Sequence, residues 1–312
     1  MLWGIFNKEV RMSDYHIPVM LSDCIDGLSI KPDGIYVDVT YGGGGHSKAI
    51  LSHLSDQGTL LVFDQDKDAL KNKIEDVRLI FCEANFEYLE NFCLYHGIDH
   101  IDGLIADLGL SSHHIDDKDR GFSFRFEGSK LDMRMNIESD LSAFDILNTY
   151  DQPSLAKLFR VYGDLDKASP MANAILNFRA IKSIETNSDL IVAVSKFYNE
   201  STKHKTLAKL YQALRIEVNQ EVSTLHALLD QATRLLKSKG RLVVMSYHSI
   251  EDKIIKNFIQ YGNVAGEQHK DVFGNISKTY KAINKKPITA NDIEIKKNSR
   301  ARSAKLRIAE KI

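Results

Sequence analysis

Residues 35–47 read Ile35-Tyr36-Val37-Asp38-Val39-Thr40-Tyr41-Gly42-Gly43-Gly44-Gly45-His46-Ser47. The run begins with β-branched residues, and the apolar spacing after it predicts a helix from His46 to Leu54, so four glycines join a strand to a helix. Glycine lets the backbone turn tightly and lets a ligand approach without obstruction by a Cβ atom. Because the amides at a helix start favour an anion or a carboxylate, this stretch predicts a ligand-binding loop.

Strands and helices alternate in the rest of the first part of the chain and again near its end. Further buried strands are predicted at Thr59–Phe63, Leu79–Phe81, Gly103–Ala106 and Arg241–Ser246. Continuous apolar strands separated by helices indicate βαβ units, in which the strands are parallel and buried on both faces. The sequence therefore predicts an α/β fold with a mostly parallel, doubly wound sheet.

Two features complicate this simple alternation. After the fourth strand the chain shows only helical stripes of apolar residues, and a long helix from Thr206 to Leu236 leads back to the sheet. At the end, Leu306 and Ile308 alternate with Lys305 and Arg307, which predicts a half-exposed strand at the edge of the sheet. We expect a discontinuous sheet domain, residues 1–110 and 206–312, with an all-helical insertion at residues 111–205.

Acidic residues follow three of the predicted strands. Asp38, Asp64 and Asp107 each stand at a strand end, so we expect all three to point into the crevice at the carboxyl edge of the sheet. Asp64 lies 22 residues beyond Gly42, where a carboxylate can accept hydrogen bonds from both hydroxyls of a ribose.

Three classes of ligand compete for the glycine loop. A P-loop requires a lysine, which is absent from Gly45-His46-Ser47, and a dinucleotide fingerprint counted from Gly42 has Ser47 in place of its third glycine. S-adenosylmethionine fits better, because it offers a ribose and an amino-acid group and has no pyrophosphate. A nicotinamide dinucleotide and a purely structural turn remain alternatives at this point.

The charge of the chain is unevenly distributed. The 312 residues contain 41 Lys+Arg and 42 Asp+Glu, a formal net charge of −1 that argues against a strongly basic nucleic-acid binder. The segment Lys281–Arg307 nevertheless holds nine basic and two acidic residues, which gives it +7 and leaves −8 for the remainder. This asymmetry favours one anion-binding face, with a solvated surface as the alternative.

Composition indicates an intracellular globular protein. With 43% apolar residues the chain can form a sizeable core, and no apolar run approaches the roughly 20 residues of a membrane span. Cys24, Cys82 and Cys93 form no CxxC pair, so neither a disulfide framework nor a zinc site is expected. No secretory signal is expected either, and we predict a cytoplasmic protein with no membrane partner.

Six motifs in order are more specific than any single feature. They are Tyr41–Ser47 (YGGGGHS), Asp107–Ser112 (DLGLSS), Asp119–Phe124 (DRGFSF), Leu131–Met135 (LDMRM), Ser246–Asp252 (SYHSIED) and Ser299–Ser303 (SRARS). Together they resemble the bacterial ribosomal RNA small-subunit methyltransferase H family, from about Tyr15 to Ala309, which is nearly the whole chain. Two positions depart from the family pattern, because Gly43 stands where relatives often have arginine and His114 where glutamine is common.

The resemblance implies a class I (Rossmann-like) S-adenosylmethionine-dependent methyltransferase whose helical insertion recognises the substrate. In that family one decoding-centre cytidine of 16S ribosomal RNA is methylated on its exocyclic amine, N4. The substrate partner is then 16S rRNA, in the small ribosomal subunit, and the oligomeric state stays open between monomer and homodimer. The family motifs assign the cofactor contacts to Gly44, Gly45, His46, Asp64, Phe86, Asp107 and His114.

An exocyclic amine is a weak nucleophile because its lone pair conjugates with the ring, so an acceptor on its N–H would assist the transfer. We expect Asp107 to line the transfer site, with His248 or Ser246 assisting at the end of the fifth strand. Arg215, Glu217 and Asn219 are candidates to brace the site. Aromatic side chains that could stack on a splayed-out base are Phe122, Phe124, Phe126 and Tyr247.

Two other functions remain alternatives on sequence alone. One is a non-catalytic RNA-binding ribosome-assembly factor, and the other is a nicotinamide-dependent oxidoreductase, which the missing third glycine disfavours. A polar cluster could bind Mg²⁺, but methyl transfer requires no metal, so no functional metal is expected. The members of that cluster are His113, His114, Asp116, Asp117 and Asp119.

Overall fold

The computed structural model describes residues 18–110, 115–126, 128–267 and 278–312. Its centre is a seven-stranded sheet with the order β3-β2-β1-β4-β5-β7-β6. Strands β1 to β5 run parallel, and β7 pairs antiparallel with both β5 and β6. The strands are β1 (Ile35–Asp38), β2 (Thr59–Asp64), β3 (Leu79–Glu83), β4 (Ile101–Asp107), β5 (Leu236–Ser246), β6 (Tyr280–Ala282) and β7 (Lys305–Lys311). This arrangement confirms the predicted Rossmann-like, mostly parallel sheet.

Eleven α-helices lie within the described part of the chain. They are α1 (Leu21–Leu28), α2 (Gly45–Leu51), α3 (Leu89–Tyr95), α4 (Ala143–Thr149), α5 (Gln152–Val161), α6 (Ala168–Arg179), α7 (Asn187–Ala193), α8 (Glu200–Val218), α9 (Glu221–Leu235), α10 (Ser249–Tyr261) and α11 (Asp292–Lys297). Short 3₁₀ helices lie at Lys67–Asn72, Phe86–Tyr88, Lys118–Arg120, Ser195–Phe197 and Ser299–Ser303. None of the described helices is both long and apolar enough to cross a membrane.

Both faces of the sheet are buried, as a doubly wound fold requires. On β4, Leu104 belongs to a hydrophobic cluster with α3, α9 and α10, whereas the next residue, Ile105, belongs to a second cluster with α1 and α2. Successive side chains of a strand point to opposite faces, so a strand covered by helices on both sides must be apolar throughout. Burial on both faces explains why the parallel strands were readable from sequence.

The inserted helices have a hydrophobic core of their own. Helices α4 to α8 contribute to a cluster that extends from Phe122 to Val218. Residue 205, where the predicted insertion ends, lies inside α8, and Leu207 and Leu214 on the far side of that residue still pack in this cluster. The division of the chain into two domains stays a prediction.

The prediction of one long helix from Thr206 to Leu236 is wrong, because the structure has two separate helices there, α8 and α9. Gln220 between them has a φ of 50°, a left-handed conformation that a helix interior does not contain. The Asn219 amide donates to Met133 O at 2.8 Å, and its Oδ1 accepts from Met135 N at 2.7 Å. Contacts from the insert therefore fix the break, and apolar periodicity does not record such contacts.

The prediction of β7 as an edge strand is also wrong. β7 lies between β5 and β6, and its residues Leu306 to Ala309 are buried. The sequence suggested exposure because Arg307 alternates with apolar residues, but the Arg307 Nε donates to Asp252 Oδ1 at 2.7 Å. The ion pair with Asp252 of α10 thus compensates the charge of Arg307, which the sequence pattern had placed in solvent.

Candidate active site

A cavity of about 400 Å³ opens at the carboxyl ends of β1, β2, β4 and β5. One end is lined by the glycine loop, Asp64 and Phe86, and the other by Arg215 and Tyr247. In open α/β sheets ligands bind beyond the carboxyl ends of the strands, where the strand order reverses. The volume lies within the ordinary range for small-molecule sites.

The glycine loop is shaped so that side chains would disturb it. Gly42 and Gly44 have φ values of 52° and 74°, in the left-handed region that favours glycine. A Cβ atom on Gly45 would lie 2.6 Å from Pro18 Cγ, and Gly44 stands directly before the first residue of α2. Gly42, Gly43 and Gly45 line the cavity, which supports the prediction of a ligand-binding loop.

Asp38 does not point into the cavity, contrary to the expectation from its place at a strand end. Its side chain is buried, with Oδ2 accepting from Ser47 Oγ at 2.6 Å and Oδ1 accepting from Thr40 N at 3.1 Å. Thr40 Oγ1 in turn accepts from Asp107 N at 2.7 Å. Asp38 therefore braces the loop between β1 and α2 and is a structural residue.

Asp64 and Phe86 line the cavity where the resemblance places them. The Asp64 carboxylate accepts from Gly42 N at 2.8 Å and from Asp66 N at 2.9 Å, so it ties the glycine loop to the next turn. Phe86 is half-buried at the start of a 3₁₀ helix and presents an apolar ring on the same wall. His46 is buried, with Nε2 at 3.1 Å from Val19 O and Nδ1 at 3.9 Å from Asp107 Oδ2.

Asp107 occupies the middle of the site. Its Oδ1 accepts a hydrogen bond from the Tyr247 hydroxyl at 2.7 Å. Burial raises the pKa of Asp107 to about 6, although the neighbouring His46 and the Tyr247 hydrogen bond lower it. A carboxylate whose pKa is near 6 ionises at neutral pH and still has affinity for a proton, which suits an acceptor in a transfer reaction.

The other two predicted catalytic residues do not line the cavity. Ser246 is fully buried, and its hydroxyl faces Lys305 O at 3.5 Å on the neighbouring β7. His248 is the N-cap residue of α10, and its Nε2 lies 3.2 Å from Glu251 Oε1. Burial lowers the pKa of His248, but the neighbouring Glu221 and Glu251 carboxylates outweigh it and raise the pKa above its usual value.

The sequence did not single out Glu221 and Glu251, although both line the cavity. The Arg215 Nε donates to Glu221 Oε1 at 2.7 Å, and Arg215 Nη2 donates to Glu221 Oε2 at 2.8 Å. Glu251 Oε2 accepts from Tyr247 N at 3.0 Å. The spacing from His248 to Glu251 resembles that of a capping box and was the available signal. Arg215, the partner of Glu221, lies on the other side of the break between α8 and α9, so no local spacing in the sequence indicates this pair.

In the described part of the chain, one group of three His, Cys, Asp or Glu side chains lies close enough together to share a metal ion. Its members are Glu221, His248 and Glu251. Both oxygens of Glu221 already accept from Arg215, whose positive charge disfavours a cation there. In the polar cluster suggested for Mg²⁺, Asp116 pairs with Arg300 at 2.9 Å. His113 and His114 lie outside the described residues, so the predicted cofactor contact of His114 stays a prediction.

Most of the aromatic candidates for base stacking lie elsewhere. Phe122 is buried in the insert core, and Phe124 packs edge-to-face with Tyr211 at 5.4 Å. Phe126 does not line the cavity, whereas Tyr247 does. Of the bracing candidates, Arg215 and Asn219 line the cavity, and Glu217 faces away and accepts from the Tyr150 hydroxyl at 2.9 Å.

The basic segment is less open to solvent than its +7 suggests. Arg307 and Lys305 both pair with Asp252, and Arg300 pairs with Asp116. Internal ion pairs therefore occupy three of the nine cations. The exposed ones are Lys281, Lys285, Lys286, Lys296, Lys297 and Arg302.

The electrostatics of the cavity discriminate between the competing cofactors. Among the residues that the structure describes, six carboxylates and two guanidinium groups line it: Asp64, Asp66, Asp68, Asp107, Glu221 and Glu251, and Arg215 and Arg300. A dinucleotide would bring a pyrophosphate into this negative environment. S-adenosylmethionine carries a sulfonium and an ammonium, so the residues present fit that cofactor. The fold and this site define a Rossmann-like, S-adenosylmethionine-dependent methyltransferase.

Comparison with known proteins identifies the family. Residues 13–312 match the model of the MraW methylase family, and the chain belongs to that family. A ribosomal RNA small subunit methyltransferase H from Phocaeicola vulgatus is 50% identical over 297 residues, which cover 95% of this chain and 97% of the relative. The protein of the same name from Parabacteroides distasonis is 49% identical over 305 residues, which cover 97% of this chain and 100% of the relative.

Solved structures give more distant matches. An rRNA methylase from Streptococcus thermophilus matches with a TM-score of 0.39 and 12% identity, over 94% of this chain and 95% of that one. A methyltransferase homologue from Pyrococcus horikoshii matches with a TM-score of 0.42 and 10% identity, over 94% of this chain and 66% of that one.

Proposed function

We propose that this enzyme transfers a methyl group from S-adenosylmethionine to N4 of a decoding-centre cytidine in 16S ribosomal RNA, acting on the small ribosomal subunit in the cytoplasm. The relatives that are about half identical over nearly the full length are named for small-subunit ribosomal RNA. The observation that carries the proposal is the position of Asp107, between a glycine-loop wall suited to the cofactor and a polar wall formed by Arg215, Asn219 and Glu221.

The glycine-loop wall holds the cofactor. Gly44, Gly45 and His46 form the turn and helix start that receive its amino-acid group, and Asp64 accepts from the ribose hydroxyls. Phe86 presents a ring against which adenine can stack. When bound, S-adenosylmethionine supplies a methyl group activated by a positively charged sulfur.

Asp107 acts on the amine. Oδ1 is held by Tyr247, so Oδ2 is the oxygen that accepts a hydrogen bond from N4 and increases the availability of its lone pair. The C–N bond would form as the sulfur–methyl bond breaks and the cofactor leaves as a neutral thioether. The amine would then carry a positive charge, and its proton would pass to Oδ2. The aligned amine and the exclusion of water by the cavity supply the remaining acceleration.

The polar wall and the surface around it face the substrate. A base reaches the cavity only when it is splayed out of its stack, and phosphate contacts then hold the strand. The exposed cations of the basic segment, among them Lys296, Lys297 and Arg302, suit those contacts. The helical insertion, through α8, reads the context of the base.

The test is transfer of tritium from the labelled methyl of the cofactor into small subunits that lack this modification. We expect label in N4-methylcytidine, located by mass mapping of nucleosides. Asp107→Ala should lower the rate at least about hundredfold, the range for loss of a general base, while Asp99→Ala, at an exposed position, should not. Label in another nucleoside would refute the proposed substrate, and full activity of Asp107→Ala would refute the role of that carboxylate.

A further inference from the structure

Three contacts hold Tyr247 in the wall of the cavity. Its hydroxyl donates to Asp107 Oδ1 at 2.7 Å, and its backbone N donates to Glu251 Oε2 at 3.0 Å. Its ring lies against Gly109, where a Cβ atom would be 3.0 Å from Tyr247 Cδ2 and where φ is 126°. These contacts restrain the residue at its hydroxyl, at one edge of its ring and at its backbone.

The contact leaves the two oxygens of Asp107 unequal. Oδ1 accepts from the tyrosine hydroxyl, whereas the nearest ionisable side chain to Oδ2 among the described residues is His46, whose Nδ1 is 3.9 Å away. That distance is too long for a hydrogen bond, so Oδ2 keeps its capacity to accept. The tyrosine hydroxyl therefore leaves Oδ2 as the less engaged of the two carboxylate oxygens.

The structure assigns Tyr247 as the positioning residue of methyl transfer: its hydroxyl locks Asp107 so that Oδ2 alone accepts the proton of the substrate amine. This inference rests on the proposed function, because it requires Asp107 to be the acceptor. It replaces the stacking role that the sequence suggested for Tyr247.

The hydroxyl also has an electrostatic effect on its partner. The Tyr247 hydrogen bond and His46 lower the pKa of Asp107, while burial, Asp38 and Glu251 raise it. Removal of the hydroxyl leaves the carboxylate buried with one donor fewer, so its pKa must rise above the value of about 6. The buried Cys24 behind this pair has a pKa well above its usual value and stays neutral at physiological pH.

Tyr247→Phe is the decisive variant, because it keeps the ring and its packing on Gly109. We expect kcat to fall about tenfold, the effect of one hydrogen bond to a charged group, with the affinity for S-adenosylmethionine unchanged. Since Asp107 must be ionised to accept, kcat rises with pH through an apparent pKa near 6, and this rise should move to higher pH in the variant. The loss of kcat in Tyr247→Phe, relative to the unaltered chain, is then larger at pH 6 than at pH 8.

Tyr280→Phe is the matched control. Tyr280 is buried, and its hydroxyl lies 3.0 Å from Thr233 Oγ1, remote from Asp107. The Tyr280→Phe variant should have the same kcat and the same dependence of kcat on pH as the unaltered chain. A loss of kcat in Tyr247→Phe that is equal at all pH values would indicate a structural defect and overturn the inference.

A second measurement does not depend on catalysis. The ¹³Cγ resonance of Asp107, assigned by its absence from Asp107→Asn, should titrate at higher pH in Tyr247→Phe than in the unaltered chain without cofactor. If the unaltered chain methylates rRNA and neither the rate nor the titration changes in Tyr247→Phe, the inference about Tyr247 is wrong and the proposed function stands. If the titration moves but the unaltered chain transfers no methyl group, the proposed function fails and the coupling of the two residues stands.

Discussion

The two ends of the cavity are built in different ways. The glycine-loop end comes from residues 42–86, a continuous part of the chain, and depends on backbone shape at Gly42, Gly44 and Gly45. The opposite end joins Arg215 and Glu221, across a helix break, to Tyr247 and Glu251 after β5. The glycine-loop end, which we propose as the cofactor end, is therefore a local structure. The opposite end, which we propose as the substrate end, forms only when α8 and α9 pack against the sheet.

Breaking the buried ion pair at the substrate end should have the largest effect. Arg215 and Glu221 are 14% and 12% exposed, and Arg215→Met leaves a buried carboxylate without its partner. We expect the free energy of unfolding to fall by about 3–5 kcal/mol, measured by urea denaturation. Methyl transfer should be lost at temperatures where the chain still binds S-adenosylmethionine.

The chain supplies a matched control for this prediction. Arg234 and Glu90 form a pair with the same two-bond geometry, but they are 57% and 43% exposed. Arg234→Met should cost less than about 1 kcal/mol, because solvent already screens the pair. Equal costs for the two variants would show that the substrate end does not depend on burial of its charges.

A methyl group added to the glycine loop should have an intermediate effect. Gly45→Ala places a Cβ atom 2.6 Å from Pro18 Cγ, so the cavity wall must shift. Overpacking costs about 1–3 kcal/mol, and we expect calorimetry to show S-adenosylmethionine binding at least about tenfold weaker. Gly43→Ala in the same loop should bind normally, since Gly43 is exposed and does not require a positive φ. Normal binding by Gly45→Ala would mean that the cofactor end tolerates distortion.

The smallest effect is expected at the surface. Replacing both Lys296 and Lys297 by alanine should reduce the slope of log affinity for rRNA against log salt by about 0.7–0.9 for each phosphate that the variant no longer neutralises. Lys305→Ala should change the slope less, because Lys305 already pairs with Asp252 at 3.3 Å. An unchanged slope in the double variant would remove the exposed lysines from the RNA-binding face.

Local sequence pattern was sufficient to predict the parallel strands, the glycine loop and two of the three acids at strand ends. These features leave a local signal in the sequence, because a strand buried on both faces is apolar throughout and glycine stands where the backbone needs a left-handed turn. Asp64 and Asp107 were placed correctly at the cavity because strand ends meet at one edge of a parallel sheet. The same rule misplaced Asp38, whose carboxylate turns back to Ser47.

The remaining features depend on how the elements pack in three dimensions. The break at Gln220 depends on Asn219 contacts with Met133 and Met135, more than 80 residues away. Glu221 and Tyr247 acquire their roles from Arg215 and Asp107, partners that no local spacing identifies. The sequence pattern predicts that Arg307 is exposed, but the side chain is buried and donates to Asp252 of α10. Local pattern reports backbone geometry and burial, whereas the pairing of distant charges is fixed only when the elements pack.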